Sequence, residues 1–286
     1  MSQVEQAPKK AKGGRDLPAA IAVGVGLFAA LAVGLIWAPW FFAILVATAL
    51  GLGTIEVHRA LLRKSMRSEI VPIVIGTVVS TLGSYAAVVA RIDLDPTTLV
   101  IICLTATMIV ALALRLRRGP EGFVGDVAAS ALLIAYIPLL GASVPLLLVA
   151  SDGTMRILTI VACVVASDTG AFAVGVLFGR HKMAPTISPN KTWEGFAGGI
   201  VFSVAVGVLA AIYLLQIHWA IGLLLGVLLS LAGTVGDLVE SLIKRDVGLK
   251  DMSNFLPGHG GVMDRLDSML VAVPVGWMIL HLTIGG

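Results

Sequence analysis

The chain has 286 residues, 58% of them hydrophobic and 13% charged, with a mean hydropathy of +0.99 and a formal net charge of +3. A soluble domain of this size carries about a quarter of its residues charged, so a water-soluble fold is excluded and the chain is read as an integral membrane protein. The small net charge gives no reason to expect a nucleic-acid partner, and the two cysteines, Cys103 and Cys163, lie in apolar stretches without metal-type spacing.

Residues 1–18 hold Lys9, Lys10, Lys12 and Arg15 among Pro, Gly and Gln. They read as a disordered basic cytoplasmic tail, since no A-x-A-like site follows to mark a cleavable signal. Hydrophobic segments then run at about 19–36, 39–55, 70–90, 97–114, 126–149, 156–178, 195–216, 219–243 and 262–283. Most approach the ~20 residues that cross ~30 Å of hydrocarbon, so the fold class is an all-α polytopic membrane protein of about nine transmembrane helices. Residues 19–286 are taken as a single transmembrane domain. Only Ala38 divides the first two segments, beside Trp37, Pro39 and Trp40, which leaves both a re-entrant hairpin and a tight outer loop open.

Positive charge sets the orientation. With the N-terminus inside, the tail, Arg59 to Arg67, Arg115 to Arg118, Arg180 to Lys191 and Lys244 to Arg265 place 18 of the 20 Lys and Arg on the cytoplasmic side. Only Arg91 and Arg156 fall outside, so the expected topology is N-terminus cytoplasmic and C-terminus outside. No repeat of fixed period is visible.

Candidate chemistry begins in the sixth segment, where VVASDTGAFAVG carries Asp168 near its centre. An ionisable group at that depth marks a functional position or an interhelical hydrogen bond. The following loop, GRHKMAPTISPNKTWEG, supplies Arg180, Lys182, Ser188 and Lys191, cations and hydroxyls suited to phosphate oxygens or to lipid headgroups. In the eighth segment Asp237, Glu240, Ser241 and Lys244 recur at helical spacing on one face, and Asp264 and Asp267 lie three apart at the start of the ninth. Carboxylates converging without His or Cys suit a hard divalent ion such as Mg2+, and a salt-bridge network with Lys244 or Arg265 is the structural alternative. In PGHGG, residues 257–261, glycines flanking His259 can turn backbone N–H groups toward an anion. Glu56, His58 and the Gly24/Gly26 pair read as interfacial or packing residues. Intramembrane Asp168 and Asp237 also leave an ion-coupled transporter as an alternative function.

The stretch SLIKRDVGLKDMSNFLPGHGGVMDRLD, residues 241–267, resembles the signature of the phosphatidate cytidylyltransferases, the CDP-diacylglycerol synthases. SDTGAF with GRHKMAPTISPNKTWEG, and GDLVES ahead of the signature, resemble that family's other polar regions, so the likeness covers about residues 167–283. The sequence departs from the family pattern at Phe172 and Asn190. The resemblance implies an enzyme of phospholipid biosynthesis in the bacterial cytoplasmic membrane, making CDP-diacylglycerol and pyrophosphate from CTP and phosphatidic acid. It implies Mg2+, with a second, monovalent ion left open, and a homodimer. By the same carry-over Asp237, Asp264 and Asp267 are metal ligands, and Lys244 and Arg245 join Asp264 and Asp267 as catalytic residues. Lys191, Arg265, Ser188, Ser241 and His259 would bind substrate, and Asp168 would orient a cation or floor the polar cavity.

Overall fold

The computed structural model describes residues 26, 29–253, 255 and 260–285. Among these, eight spans are long and apolar enough to cross a membrane. They are α2 (Pro39–Leu62), α3 (Ile70–Val89), α4 (Pro96–Arg115), a broken span of α5 (Phe123–Tyr136), α6 (Pro138–Gly141) and α7 (Ser143–Leu148), then α8 (Gly153–Phe178), α9 (Trp193–Tyr213), α10 (Trp219–Asp246) and α11 (Met263–Ile284). The basic tail and half of the first predicted segment lie outside the described residues; residues 29–37, which take in the end of that segment, are helical and form α1.

The corner between α1 and α2 follows from two residues. Ala38 leaves the helical region at φ −141°, ψ 71°, and Pro39, which has no N–H to lose, opens α2. The chain folds back so closely that a β-carbon on Gly34 would sit 2.9 Å from the Phe41 ring. α2 then runs to Leu62, past the expected end near residue 55, because its last two turns carry polar residues that a hydropathy reading stops at. The fifth segment is broken at Pro138, which has no backbone N–H to donate, with Ile137 before it at φ −104°, ψ −69°.

One element departs from the all-helical expectation. Between α8 and α9 the chain forms an antiparallel hairpin of β1 (Lys182–Ala184) and β2 (Ser188–Thr192), with Lys182 opposite Thr192 and Ala184 opposite Ser188. β2 passes directly into α9, where the Thr192 hydroxyl accepts from Gly195 N–H at 3.1 Å as an N-cap.

α8 packs against α9, α9 against α10 and α10 against α11, a run of neighbours that carries the polar residues singled out above. Small residues permit the close spacing: a β-carbon on Gly226 of α10 would meet the α9 backbone at 2.6 Å from Val204 N and 2.7 Å from Ser203 O. One buried cluster joins Val57, Leu133, Ile137, Met263 and Leu270, and a second joins Ile160, Leu225, Leu229 and Leu280, so α11 serves both.

The bundle has two chemically different ends. At one, Lys64 pairs with Asp246 at 3.0 Å, Arg63 donates to Gly248 O at 3.4 Å, Arg118 donates to Arg67 O at 3.1 Å and Arg245 donates to Ile187 O at 3.2 Å, which gathers the described basic loops together. At the other, Arg156 donates to Gly285 O at 2.7 Å and Thr154 to Leu35 O at 3.2 Å.

Candidate active site

The site is built on the last turns of α10, where helical spacing brings Asp237, Glu240, Ser241 and Lys244 to one face as the sequence predicts. Ser241 Oγ donates to Asp237 Oδ1 at 3.3 Å, and Lys244 Nζ is shared between Glu240 and Asp264 Oδ1, the latter at 2.8 Å. Glu240 is wholly buried, and its Oε1 has no hydrogen-bond partner among the described residues. The salt-bridge network weighed from the sequence therefore exists, with Lys244 at its centre.

The hairpin adds a second cation. Lys191 on β2 reaches Asp237 Oδ2 at 2.6 Å. Arg245 ties the hairpin to the end of α10, its Nε donating to Ile187 O at 3.2 Å and one terminal nitrogen to Leu249 O at 3.3 Å. At the hairpin's base the Glu194 carboxylate accepts from Arg180 N–H at 3.1 Å and lies 2.5 Å from His181 Nδ1. Ser188 is half-buried on β2 and forms no side-chain hydrogen bond among the described residues. Asp168 is exposed on α8 and likewise has no hydrogen bond among them, yet lies within electrostatic reach of Asp237, Lys191 and Asp267. That places the mid-helix carboxylate toward the polar cluster.

On α11, Asp264 and Asp267 occupy the first turns. Asp264 Oδ2 accepts from Gly261 N–H at 2.8 Å and Met252 N–H at 2.9 Å, in addition to the bond from Lys244 to Oδ1. Asp267 Oδ1 accepts from Ser268 N–H at 2.7 Å, and Arg265 is exposed. His259 lies outside the described residues.

Of PGHGG only residues 260 and 261 are among the described residues. Gly261 N–H donates to Asp264, and Val262 and Met263 N–H donate to Glu56 Oε1 and Oε2 at 3.0 and 2.8 Å. Glu56, read as a packing residue, is a buried carboxylate of α2 that also accepts from Ser253 Oγ at 2.6 Å. Gly260 takes φ +83°, and a β-carbon on Gly261 would come within 2.6 Å of a Glu56 oxygen, so this turn has room for glycine alone at that point. Tyr136 was also missed: its buried hydroxyl lacks a partner among the described residues and feels the charges of Glu240, Asp267 and Asp237. A carboxylate in an apolar helix was the available signal for Glu56; nothing local marked Tyr136.

Among the described residues no three acidic, His or Cys side chains converge closely enough to hold a metal ion as they stand, and Asp237 and Asp264 are each paired with a lysine.

Residues 18–283 match the model of a family described as the cytidylyltransferase family. The chain is 39% identical over 282 residues to a phosphatidate cytidylyltransferase of Mycobacterium leprae, covering 95% of this chain and 89% of the relative. It is 37% identical over 285 residues to one from Mycobacterium tuberculosis strain H37Rv, covering 97% and 86%. A relative of the same description from Staphylococcus aureus strain N315 is 47% identical over 127 residues, covering 44% and 48%.

Proposed function

The chain belongs to the phosphatidate cytidylyltransferase family, and from that premise we propose how its polar cluster carries the reaction of CTP with phosphatidic acid. The products are CDP-diacylglycerol and pyrophosphate, and the enzyme is an integral protein of the bacterial cytoplasmic membrane. A phosphate oxygen of phosphatidic acid forms a bond to the α-phosphorus of CTP as the bond from that phosphorus to the bridging oxygen breaks. Pyrophosphate takes the electron pair. A phosphate monoester has a second pKa of ~6, so the nucleophile is already largely ionised at neutral pH and needs no general base. Two polyanions must instead be brought together and their charge met.

The side chains supply that. An ammonium group has three N–H donors; Lys244 spends two on Glu240 and Asp264, and Lys191 spends one on Asp237, so both retain donors for phosphate oxygens. Ser188, Ser241, Arg245, Arg265 and His259 complete the substrate-binding set, with Asp168 orienting a cation beside it. The observation that carries the reading is Lys244 placed between the carboxylates of α10 and α11 at the end of the bundle where the basic loops collect. That end is the cytoplasmic one in the orientation proposed, N-terminus inside and C-terminus outside, which lets CTP enter from the cytosol.

By chemistry the donors suit a hard divalent cation: Asp168, Asp237 and Asp267 feel one another's charge and offer carboxylate oxygens, which would have to draw closer than they stand to share an ion. Asp237 and Asp267 would hold Mg2+, with Asp264 less open because three donors already occupy it, out of about four lone-pair sites on a carboxylate. When bound, the ion supplies charge neutralisation along the triphosphate.

The test is reconstitution of the purified protein in liposomes with CTP, phosphatidic acid and Mg2+. CDP-diacylglycerol and pyrophosphate should appear in equal amounts without any imposed ion gradient, and chelation should stop both. A gradient-dependent solute flux with no nucleotide-lipid product would replace the enzyme by a transporter.

A further inference from the structure

We propose that Glu56 is a positioning residue for this reaction: from α2, far from α10 and α11 in sequence, its carboxylate fixes the loop and helix start that hold Asp264 in place. The proposal rests on the reaction assigned above.

The first N–H groups of a helix have no partner within it and need an acceptor from elsewhere. α11 has no side-chain cap of its own, and Val262 stands in helical geometry at its N-cap position. Glu56 fills that role from another helix. Oε1 accepts from Val262 N–H and Ser253 Oγ, and Oε2 accepts from Met263 N–H. A negative group here is also favoured by the positive end of the α11 dipole. One carboxylate thus ties Ser253 to Val262.

Asp264 bonds the residues next to those that Glu56 ties. Its Oδ2 takes N–H bonds from Met252, one residue before Ser253, and from Gly261, one residue before Val262. Each strand of the turn therefore carries one bond to Glu56 and, at the adjacent residue, one to Asp264. Displacing the Glu56 bonds moves the backbone that aims Asp264 at Lys244. Met252 and Met263 anchor the two sides of the turn in the core, while a cavity of about 350 Å3 lies beside Glu56, among Leu52, Ile55, Arg59, Ser253 and Phe255. The charge-assisted bonds add to that anchoring and set the direction of the backbone N–H groups.

Glu56→Gln keeps the shape and one acceptor oxygen but turns an NH2 group toward a backbone N–H. We expect kcat for CDP-diacylglycerol formation to fall about 10- to 100-fold, the scale on which small misplacements of reacting groups act, with KM for CTP changed less than about twofold. Hydrogen–deuterium exchange at the Met252, Gly261, Val262 and Met263 amides should accelerate in the variant while the rest of α2 and α11 keeps its protection. Wild-type kcat, or unchanged exchange at these amides, would overturn the proposal. Should the variant fail to fold in detergent, Ser253→Ala decides: it removes one of the bonds, and unchanged kcat and exchange there would count equally against the idea. Absence of product from the wild-type protein would defeat the assigned reaction, whereas the exchange measurement would still judge the clamp.

Discussion

One ammonium group, that of Lys244, offsets two carboxylates. The Lys244 side chain is 12% exposed, Glu240 0% and Asp264 7%, so removing the cation alone leaves two acids side by side away from water. Breaking a buried pair in this way costs about 3–5 kcal/mol. Lys244→Met should therefore lose both stability and turnover, which by itself separates nothing. In Glu240→Gln/Lys244→Met the most deeply buried charge leaves with its partner, and the thermal unfolding temperature in detergent should return toward the wild-type value. Turnover should stay at least ~100-fold down, the loss expected when a positioned charge that meets the transition state is removed. A double variant that regained turnover would leave Lys244 as a counter-ion for Glu240 and nothing more.

Helices and their contacts were legible to very different degrees. Segment positions followed from hydropathy because each span is apolar as a whole, and the α10 face from Asp237 to Lys244 followed from helical periodicity because its partners are local. The β1–β2 hairpin was not legible, since three- and five-residue strands rich in Lys, Ser and Asn carry no alternating apolar pattern. Neither was the clamp on α11. Glu56 and Val262 are 206 residues apart, and no spacing rule links them. At Gly261 the reason is related: sequence shows that an N–H group can be presented, not that the Asp264 carboxylate is the acceptor that reaches it. Close helix packing is testable at this scale. Gly226→Val places a branched side chain against the α9 backbone, and overpacking of this kind costs about 1–3 kcal/mol. The expected result is a lowered unfolding temperature in detergent together with reduced turnover, because β2, which runs directly into α9, carries Lys191 and α10 carries its partner Asp237; an unfolding temperature equal to wild type would mean that the two helices can separate freely at Gly226.

The whole molecule is polar in the sense of having two unlike ends, and this makes its orientation a single measurable quantity. Asn190 on the hairpin and Ser151 between α7 and α8 are both exposed, at the basic end and the Arg156 end respectively. In intact cells, a cysteine at position 151 should react with a membrane-impermeant maleimide, while one at position 190 should react only after permeabilisation, with the unsubstituted protein as the blank. Labelling of the 190 variant in sealed cells would reverse the proposed topology and put the site on the wrong side for CTP. The distance along the chain from Glu56 to Met263, 207 residues, also has a consequence in time. At about 5–20 residues per second, a ribosome takes roughly 10–40 s to make that length of chain. Through that interval the α2 carboxylate lacks the amides it later binds, and the turn that aims Asp264 does not yet exist. A nascent chain caught partway through insertion is thus inert toward CTP, and competence for nucleotide transfer arrives with the final span.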